Sequence, residues 1–204
     1  MKAKVIGISG VAGSGKDLFY SLISKKINCQ RFALADQLKT ECRKYILDSY
    51  GIDILNCSRE QKNLIRPFLV GAGLSRRNMT NGRYFVNKIE PKIKEFIYNY
   101  YCVEGNENSI YPCITDIRYS SHEKDEVGWL KNDMGGILVH VTRFNYVNGR
   151  KVDVQPANEE EEAQNPILKS QADYILEWET ARGSQEQINE KLSRCLDDFV
   201  DFVK

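Results

Sequence analysis

The fold is decided by the stretch Val5-Ile6-Gly7-Ile8-Ser9-Gly10-Val11-Ala12-Gly13-Ser14-Gly15-Lys16-Asp17, near the start of a 204-residue chain. It opens with alternating β-branched residues, as in a buried strand, and ends where a helix could begin. Between the two, Gly10 to Lys16 matches Gly-x4-Gly-Lys, the pattern of a phosphate-binding loop, or P-loop. Glycines let successive backbone N–H groups turn towards phosphate oxygens. The helix adds its positive N-terminal end, and the lysine supplies a mobile charge.

This loop predicts a binding site for the phosphates of a nucleotide. The residues expected to contact the nucleotide are Gly10, Ala12, Gly13, Ser14, Gly15, Lys16 and Asp17. The last of these departs from the pattern, which has Ser or Thr after the lysine. Two interpretations of Asp17 stay open. Its carboxylate contacts Mg²⁺, directly or through water, or it only favours the helix N-terminus by its charge.

Composition excludes several classes of partner. The 29 basic and 28 acidic residues nearly balance, which argues against a general attraction to nucleic acid or to an anionic membrane. No run of about eighteen apolar residues and no signal-peptide pattern are present, so we expect a cytoplasmic protein. The six cysteines lack Cys-x-x-Cys spacing, which predicts reduced and mostly buried thiols rather than a zinc site or a disulfide framework.

Apolar runs and helical spacing alternate along the rest of the chain. They predict five strands, near residues 5–9, 29–33, 110–116, 137–142 and 174–176. They predict helices that include 35–50, 59–74, 82–101, 120–133 and 185–203. Strands that alternate with helices favour a three-layer α/β/α fold of the P-loop NTPase class with a five-stranded parallel sheet. We expect residues 1–204 to form a single domain.

Ligands of such sheets bind beyond the carboxyl ends of the strands. Four stretches follow predicted strands and should share this rim: Gly10–Asp17, Asp36–Lys39, Asp116–Arg118 and Arg143. Asp116 either holds Mg²⁺ or its water shell, or only caps the end of its strand. Arg118 and Arg143 either stabilise the negative charge of a phosphoryl group during transfer, or make structural ion pairs.

Basic residues in the next helices suggest a second binding site. Arg66, Arg76 and Arg77 lie on or after the helix predicted at 59–74, and arginine is suited to clamp a monophosphate with two hydrogen bonds. The alternative for each is a solvated surface arginine. Asp36 and Lys39 similarly contact an acceptor or lie exposed on their helix. The run from Glu159 to Glu162 predicts a solvated helix face rather than a metal site.

Taken together, these motifs resemble the P-loop nucleoside monophosphate kinases, most closely the bacteriophage-type deoxynucleoside monophosphate kinases. The resemblance rests on four stretches, of which the first is Ser9 to Asp17 with its Gly-Lys-Asp and the second is Phe32 to Lys39. The third is Arg66 to Arg77, which contains Arg-x4-Gly-x-Gly. The fourth is Thr115 to Arg118, followed by Gly135-Gly136 and by Val139 to Arg143. It implies transfer of the γ-phosphate of ATP, with Mg²⁺, to a (deoxy)nucleoside monophosphate. The products would be ADP and a (deoxy)nucleoside diphosphate.

The resemblance also implies roles for particular regions. Acceptor-binding helices would span about 35–101, and a lid over the phosphates would span about 144–170. Arg66 would hold the acceptor phosphate, while Lys16, Arg118 and Arg143 would act on the transferring group. The partners would be small nucleotides, in the host cytoplasm if the source is viral, and a homodimer is left open.

Two other families leave the acceptor open. Animal-type phosphomevalonate kinases share a similar Gly-Lys-Asp loop, and dephospho-coenzyme A kinases have a loop with Ser or Thr. A nucleotide-dependent switch is disfavoured, because Asn87-Lys88-Ile89-Glu90 lies inside a predicted helix and ends in Glu instead of the Asp of a guanine-reading motif.

Overall fold

Six strands form one mixed sheet in the computed structural model, which describes residues 3–180 and 184–204. The strands are β1 (Ile6–Ser9), β2 (Cys29–Phe32), β3 (Tyr111–Ile114), β4 (Ile137–Val147), β5 (Arg150–Asp153) and β6 (Tyr174–Glu179). Four of them lie in the order β2-β3-β1-β4, and β6 pairs with β4; all these pairings are parallel. The prediction of an α/β protein with a mostly parallel sheet is confirmed.

The central strands are buried because helices cover both faces of the sheet. Every residue of β1 and of β3 is buried, as expected for strands that read as continuous apolar runs. The edge strand β2 is only half-buried at its ends and exposed between them. β1 aligns with β4 through Ile6 opposite Ile137, so the loop after β1 emerges beside the second half of β4.

The helices differ from the predictions in their lengths, and the single closing helix predicted at 185–203 is divided into two. They are α1 (Lys16–Ile23), α2 (Leu34–Tyr50), α3 (Arg59–Asn78), α4 (Arg83–Tyr98), α5 (Glu126–Gly128), α6 (Glu159–Ser170), α7 (Gln185–Arg194) and α8 (Asp197–Val203). Wider π-helical turns extend α4 to Val103 and α5 to Asp133. α3 continues past Gly71 and Gly73, and a Cβ on Gly73 would lie 3.4 Å from Cδ2 of Leu38. A Cβ there would be in ordinary contact with α2, so the packing of the two helices does not require glycine at this position.

Three clusters of buried side chains hold the elements together. On one face of the sheet, α1 and α8 pack through Phe19 and Phe199, whose ring centroids are 5.1 Å apart. On the other face, α4 contributes Val86 and Ile93 to a cluster that includes the fully buried Trp129. A third, smaller cluster joins α2 to α3 around Ile46. The first two clusters make the predicted three layers, and the third supports the helices on the proposed acceptor side.

The segment 144–170 contains structure that the sequence did not predict. β4 runs on to Val147 and turns back through Asn148 and Gly149, both with positive φ, into the antiparallel strand β5. α6 follows, capped by the Asn158 side chain, which accepts a hydrogen bond from the Glu161 amide. The helical form of the Glu159–Glu162 run agrees with prediction. That the segment acts as a lid stays a prediction.

Two findings concern the predictions about membrane spans and about cysteines. In the part of the chain that the structure describes, no helix is long and apolar enough to cross a membrane. The prediction of mostly buried cysteines is wrong, because only Cys42 and Cys113 are buried while Cys102 and Cys195 are exposed.

Candidate functional site

The loop between β1 and α1 adopts a conformation that only glycine accommodates easily. Gly10, Gly13 and Gly15 have φ of 133°, 82° and 96°, in the region that side chains disfavour. A Cβ on Gly10 would collide with the carbonyl oxygen of Val141, and one on Gly15 would lie 2.5 Å from a ring carbon of Trp178. The predicted glycine positions are therefore required by backbone conformation and by close packing.

Lys16 begins α1 and folds back over the loop. Its Nζ donates hydrogen bonds to the carbonyl oxygens of Gly10 at 2.6 Å and of Val11 at 2.8 Å. Burial, with repulsion from Arg118, lowers the pKa of Lys16 from 10.5 to about 8, against the opposing charges of Glu161 and neighbouring carboxylates. The ammonium group thus lies in a site where a bound anion would favour its charged form.

Two buried polar atoms at the loop have no hydrogen-bond partner among the described residues. They are Oγ of Ser14 and Nε of Arg143. Arg143 lies on β4 beside the loop, and its Nη2 is 3.8 Å from the position that a Cβ on Gly13 would take. Because buried polar groups are rarely left unsatisfied, the two atoms have unused hydrogen-bonding capacity beside the loop.

A carboxylate from α6 lies against the loop. Oε2 of Glu161 accepts hydrogen bonds from the backbone amides of Ala12, at 3.0 Å, and Ala157, at 3.1 Å. Its Oε1 is 3.5 Å from Nη1 of Arg118. Burial alone would raise the pKa of Glu161, but the amide hydrogen bonds and the charges of Arg118 and Lys16 outweigh it and lower the pKa. The loop therefore already holds an anionic group.

A cleft of about 370 Å³ opens beside the loop. Its loop side is lined by Ala12, Gly13, Lys16, Asp17, Asp116 and Arg118, and its helical side by Asp36, Lys39, Lys62 and Arg66. Three of the four stretches predicted to share the rim therefore line one cleft. Arg143 does not line it and approaches the loop from β4 instead.

The two candidate metal ligands have different surroundings. Asp17 is exposed in the first turn of α1. Asp116 is buried, and its two oxygens accept hydrogen bonds from the Leu34 and Ala35 amides, each at 2.8 Å. Asp116 therefore caps the N-terminus of α2 rather than only ending its own strand. Each of its oxygens keeps a second lone pair, so capping leaves metal binding open.

The helical side of the cleft carries basic groups in different states of pairing. Asp36 binds both Arg31 and Lys39, with nitrogen–oxygen distances of 2.7 Å. Burial would raise the pKa of Asp36, but its hydrogen bonds with Lys39 and Arg31 lower it. Arg66 has one long hydrogen bond, from Nη2 to Oδ1 of Asn63 at 3.3 Å.

Arg76 and Arg77 make structural contacts. Nε of Arg76 is 3.0 Å from a Glu41 oxygen, and Arg76 does not line the cleft, so we leave it out of the proposed site. Arg77 is buried at the cleft wall and donates to Asp125 through both terminal nitrogens, at 3.0 and 2.7 Å. It also donates to Glu126 at 2.9 Å. Its hydrogen-bonding groups are engaged within the protein, which differs from the expected acceptor contact.

Comparisons with known proteins yield distant structural similarities. No family model matches the chain, and no curated protein matches it. The crystal structure of TT1252 from Thermus thermophilus is similar over 97% of this chain and 98% of that one, at 15% identity with a TM-score of 0.42. A dephospho-CoA kinase from Campylobacter jejuni is similar over 99% and 100%, at 13% identity with a TM-score of 0.39.

Sequence reasoning missed three residues that shape the site. Nε1 of Trp178 donates to the carbonyl oxygen of Ser14 at 2.8 Å and so ties β6 to the loop. Glu126 is buried, and its Oε2 accepts hydrogen bonds from the amides of Arg118, at 2.7 Å, and the following residue. Glu161, on α6, places its carboxylate against the loop. Only the tryptophan had a local signal, since it continues the apolar alternation of its strand.

Proposed function

We propose that the protein is a P-loop phosphotransferase that moves the γ-phosphate of ATP to a small acceptor bearing a phosphate. The observation that carries this proposal is the position of a carboxylate, that of Glu161, on the Ala12 amide of a glycine-rich loop next to Lys16. Such a loop accepts an anionic oxygen at its backbone, as a phosphate-binding loop must.

The loop residues suit the donor. The amides of the loop would hold the terminal phosphates of ATP, with Lys16 and Arg143 supplying positive charge from two sides. The unpartnered Ser14 Oγ and Arg143 Nε fit a ligand rich in oxygen. Arg118 reaches the same place from the end of β3, since it already approaches the Glu161 carboxylate.

The acidic residues suit Mg²⁺. This ion takes oxygen ligands, keeps several waters, and is usually held by one or two carboxylates together with substrate phosphates. Asp17 and Asp116 both line the cleft beside Lys16 and would provide those carboxylates. When bound, the ion would neutralise negative charge on the phosphates.

The helical side of the cleft favours an acceptor that carries a phosphate. An alcohol acceptor needs a nearby carboxylate to take its proton. Asp36 is poorly suited, because salt bridges to Arg31 and Lys39 engage it and its pKa is lowered. Arg66 and Lys62 instead offer positive charge to a phosphate. A (deoxy)nucleoside monophosphate fits this description, as does phosphomevalonate.

The residues then act by position and charge. An acceptor phosphate oxygen attacks the γ-phosphorus of ATP, the bond from that phosphorus to the bridging oxygen breaks, and ADP leaves. Charge spreads over the equatorial oxygens during this step. Lys16, Arg118 and Arg143 would stabilise that charge.

A coupled ADP-release assay tests the proposal. The acceptors are a panel of deoxynucleoside and nucleoside monophosphates, phosphomevalonate and dephospho-coenzyme A, each with MgATP. We expect stimulation by at least one phosphate-accepting compound and its loss in Lys16→Ala, with an unchanged circular dichroism spectrum. Retained turnover in Lys16→Ala would refute the P-loop mechanism. Stimulation by dephospho-coenzyme A alone would favour the alternative in which the acceptor is an alcohol. If no acceptor stimulates ADP release, the proposed transfer is refuted.

A further inference from the structure

The Glu161 carboxylate is in conflict with the anion that the loop is proposed to bind. Its side chain is only 13% exposed, and its Oε2 accepts a hydrogen bond from the Ala12 amide. A triphosphate placed on the same amide would meet this carboxylate at close range. Like charges at such a distance in a partly buried site repel strongly. One of the two anions must therefore leave.

The contacts of Glu161 imitate those of a phosphate. Two backbone amides, of Ala12 and Ala157, donate to one oxygen, and a guanidinium approaches the other. Lys16 adds positive charge nearby. Charge-assisted hydrogen bonds from backbone amides are the usual means of phosphate binding at such loops.

The same contacts connect three parts of the chain. Glu161 is in the first turn of α6, Ala157 is in the connection from β5, and Ala12 is in the loop after β1. Gln164, one turn further along α6, accepts a hydrogen bond from the Ser120 amide at 3.1 Å, and Val154 approaches Gly13. The carboxylate thus fastens the 144–170 segment across the loop.

We propose that Glu161 is an intramolecular competitor of the nucleotide phosphates, a latch that holds α6 on the empty loop and is displaced when a nucleotide binds. This inference rests on the proposed function for the identity of the displacing ligand. It adds a regulatory property to that site, because part of the binding energy of the nucleotide is used to release the latch. The apparent affinity is therefore lower than the loop alone would give.

The test compares Glu161→Gln with Glu162→Gln. Both remove one negative charge from the first turn of α6, but the Glu162 side chain is exposed, whereas that of Glu161 binds the Ala12 amide. Hydrogen–deuterium exchange is measured first, without nucleotide. We expect faster exchange at 10–16 and 158–170 in Glu161→Gln than in the wild type or in Glu162→Gln. Unchanged exchange in Glu161→Gln would overturn the latch, whatever the protein binds.

Calorimetric titration with a non-hydrolysable ATP analogue and Mg²⁺ then measures competition. We expect Glu161→Gln to bind about tenfold more tightly than the wild type, and Glu162→Gln to match the wild type. Equal or weaker binding in Glu161→Gln would overturn the competition, as would the absence of binding in all three proteins. Tighter binding in Glu161→Gln without ADP release in the wild type would support the latch while refuting phosphoryl transfer.

Discussion

At the residue scale, the lowered pKa of Lys16 predicts that nucleotide binding takes up a proton. Burial and repulsion from Arg118 bring this pKa to about 8 in the ligand-free protein, and a bound phosphate would raise it. Affinity should be full below pH 8 and should fall as the pH rises through 8, by about tenfold per unit, because the favoured form of Lys16 is the charged one. Titrations between pH 6.5 and 9.5, in buffers of different ionisation enthalpy, measure both effects.

Two variants identify the titrating group. Lys16→Arg keeps a charge at every pH in this range, so its binding should lose the pH dependence. Burial raises the pKa of Glu126 to about 8 as well, so Glu126→Gln is needed as the second variant. If Lys16 is responsible, Glu126→Gln retains the proton uptake. Loss of the uptake in Glu126→Gln alone would assign it to that carboxylate.

Arg77 predicts a large effect on stability. Its guanidinium is paired with two buried carboxylates, Asp125 and Glu126, and lies 3.5 Å from the ring centroid of Tyr119. Arg77→Met would leave the buried Asp125 carboxylate without its cation, and Glu126, which its raised pKa keeps mostly protonated at pH 7, without its hydrogen-bond donor. Removing one partner of such a buried ion pair costs about 3–5 kcal/mol of unfolding free energy. Urea denaturation at pH 7 measures it.

The neighbouring residue is the matched control. Arg76→Met breaks an ion pair with Glu41 that is partly exposed, and such pairs contribute about 1 kcal/mol or less. Equal losses in the two variants would contradict the structural role assigned to Arg77.

Individual side chains show where sequence reasoning reaches its limit. The pattern Gly-x4-Gly-Lys is local, so the loop glycines and Lys16 could be predicted from adjacent residues. Arg77 could not be separated from Arg66 by sequence, because the two acidic residues that bind it lie at the start of α5, 48 and 49 positions away. Glu161 appeared to be one of four equivalent glutamates, and only the fold brings it to Ala12, at a separation of 149 positions.

At the element scale, the contact between β6 and the loop predicts a role for Trp178 in nucleotide binding. Trp178→Phe keeps an aromatic side chain but removes the indole N–H. The buried carbonyl oxygen of Ser14 then lacks its hydrogen-bond donor. We expect a loss of about 1–3 kcal/mol in unfolding free energy and weaker nucleotide binding, since the loop is less well held. Denaturation and calorimetric titration measure the two effects.

A second tryptophan separates these effects. Trp129 is also buried, and its Nε1 donates to Oε2 of Glu90 at 3.0 Å in the cluster on the other face of the sheet. Trp129→Phe should therefore lower stability without changing nucleotide affinity. If both variants weaken binding equally, the effect is one of general stability rather than of the tie to the loop.

Element boundaries were less predictable than element types. Gly71 and Gly73 favoured an early end of α3 because of their poor helix propensity, but the helix continues through both, with Gly73 buried and Gly71 exposed. The helix predicted at 120–133 begins only at Glu126, where the side chain of Asp125 provides the cap. The β4–β5 hairpin was missed because it has few apolar residues and depends on a turn of Asn148 and Gly149 with positive φ.

At the scale of the whole molecule, the strand order explains why distant motifs converge. Because β1, β3, β4 and β6 are parallel, the loops after β1 and β3 emerge on the same side as the end of β4. This was predictable from alternating strands and helices alone. The pairing of charges across the cleft was not, since it depends on how α2, α3 and α6 are placed over that rim.

The same arrangement predicts that a nucleotide stabilises the protein as one unit. A ligand that bridges the loop after β1 and the end of β3 binds the folded chain but not the unfolded one. Its contribution is set by mass action, about 2.7 kcal/mol at a concentration of one hundred times the dissociation constant. Urea denaturation with MgATP analogue at increasing concentration should move the midpoint upwards without changing the slope. Lys16→Ala should show a much smaller shift at the same concentrations, because the loop has lost its cation. An equal shift in Lys16→Ala would mean that the nucleotide stabilises the chain from a site other than the loop.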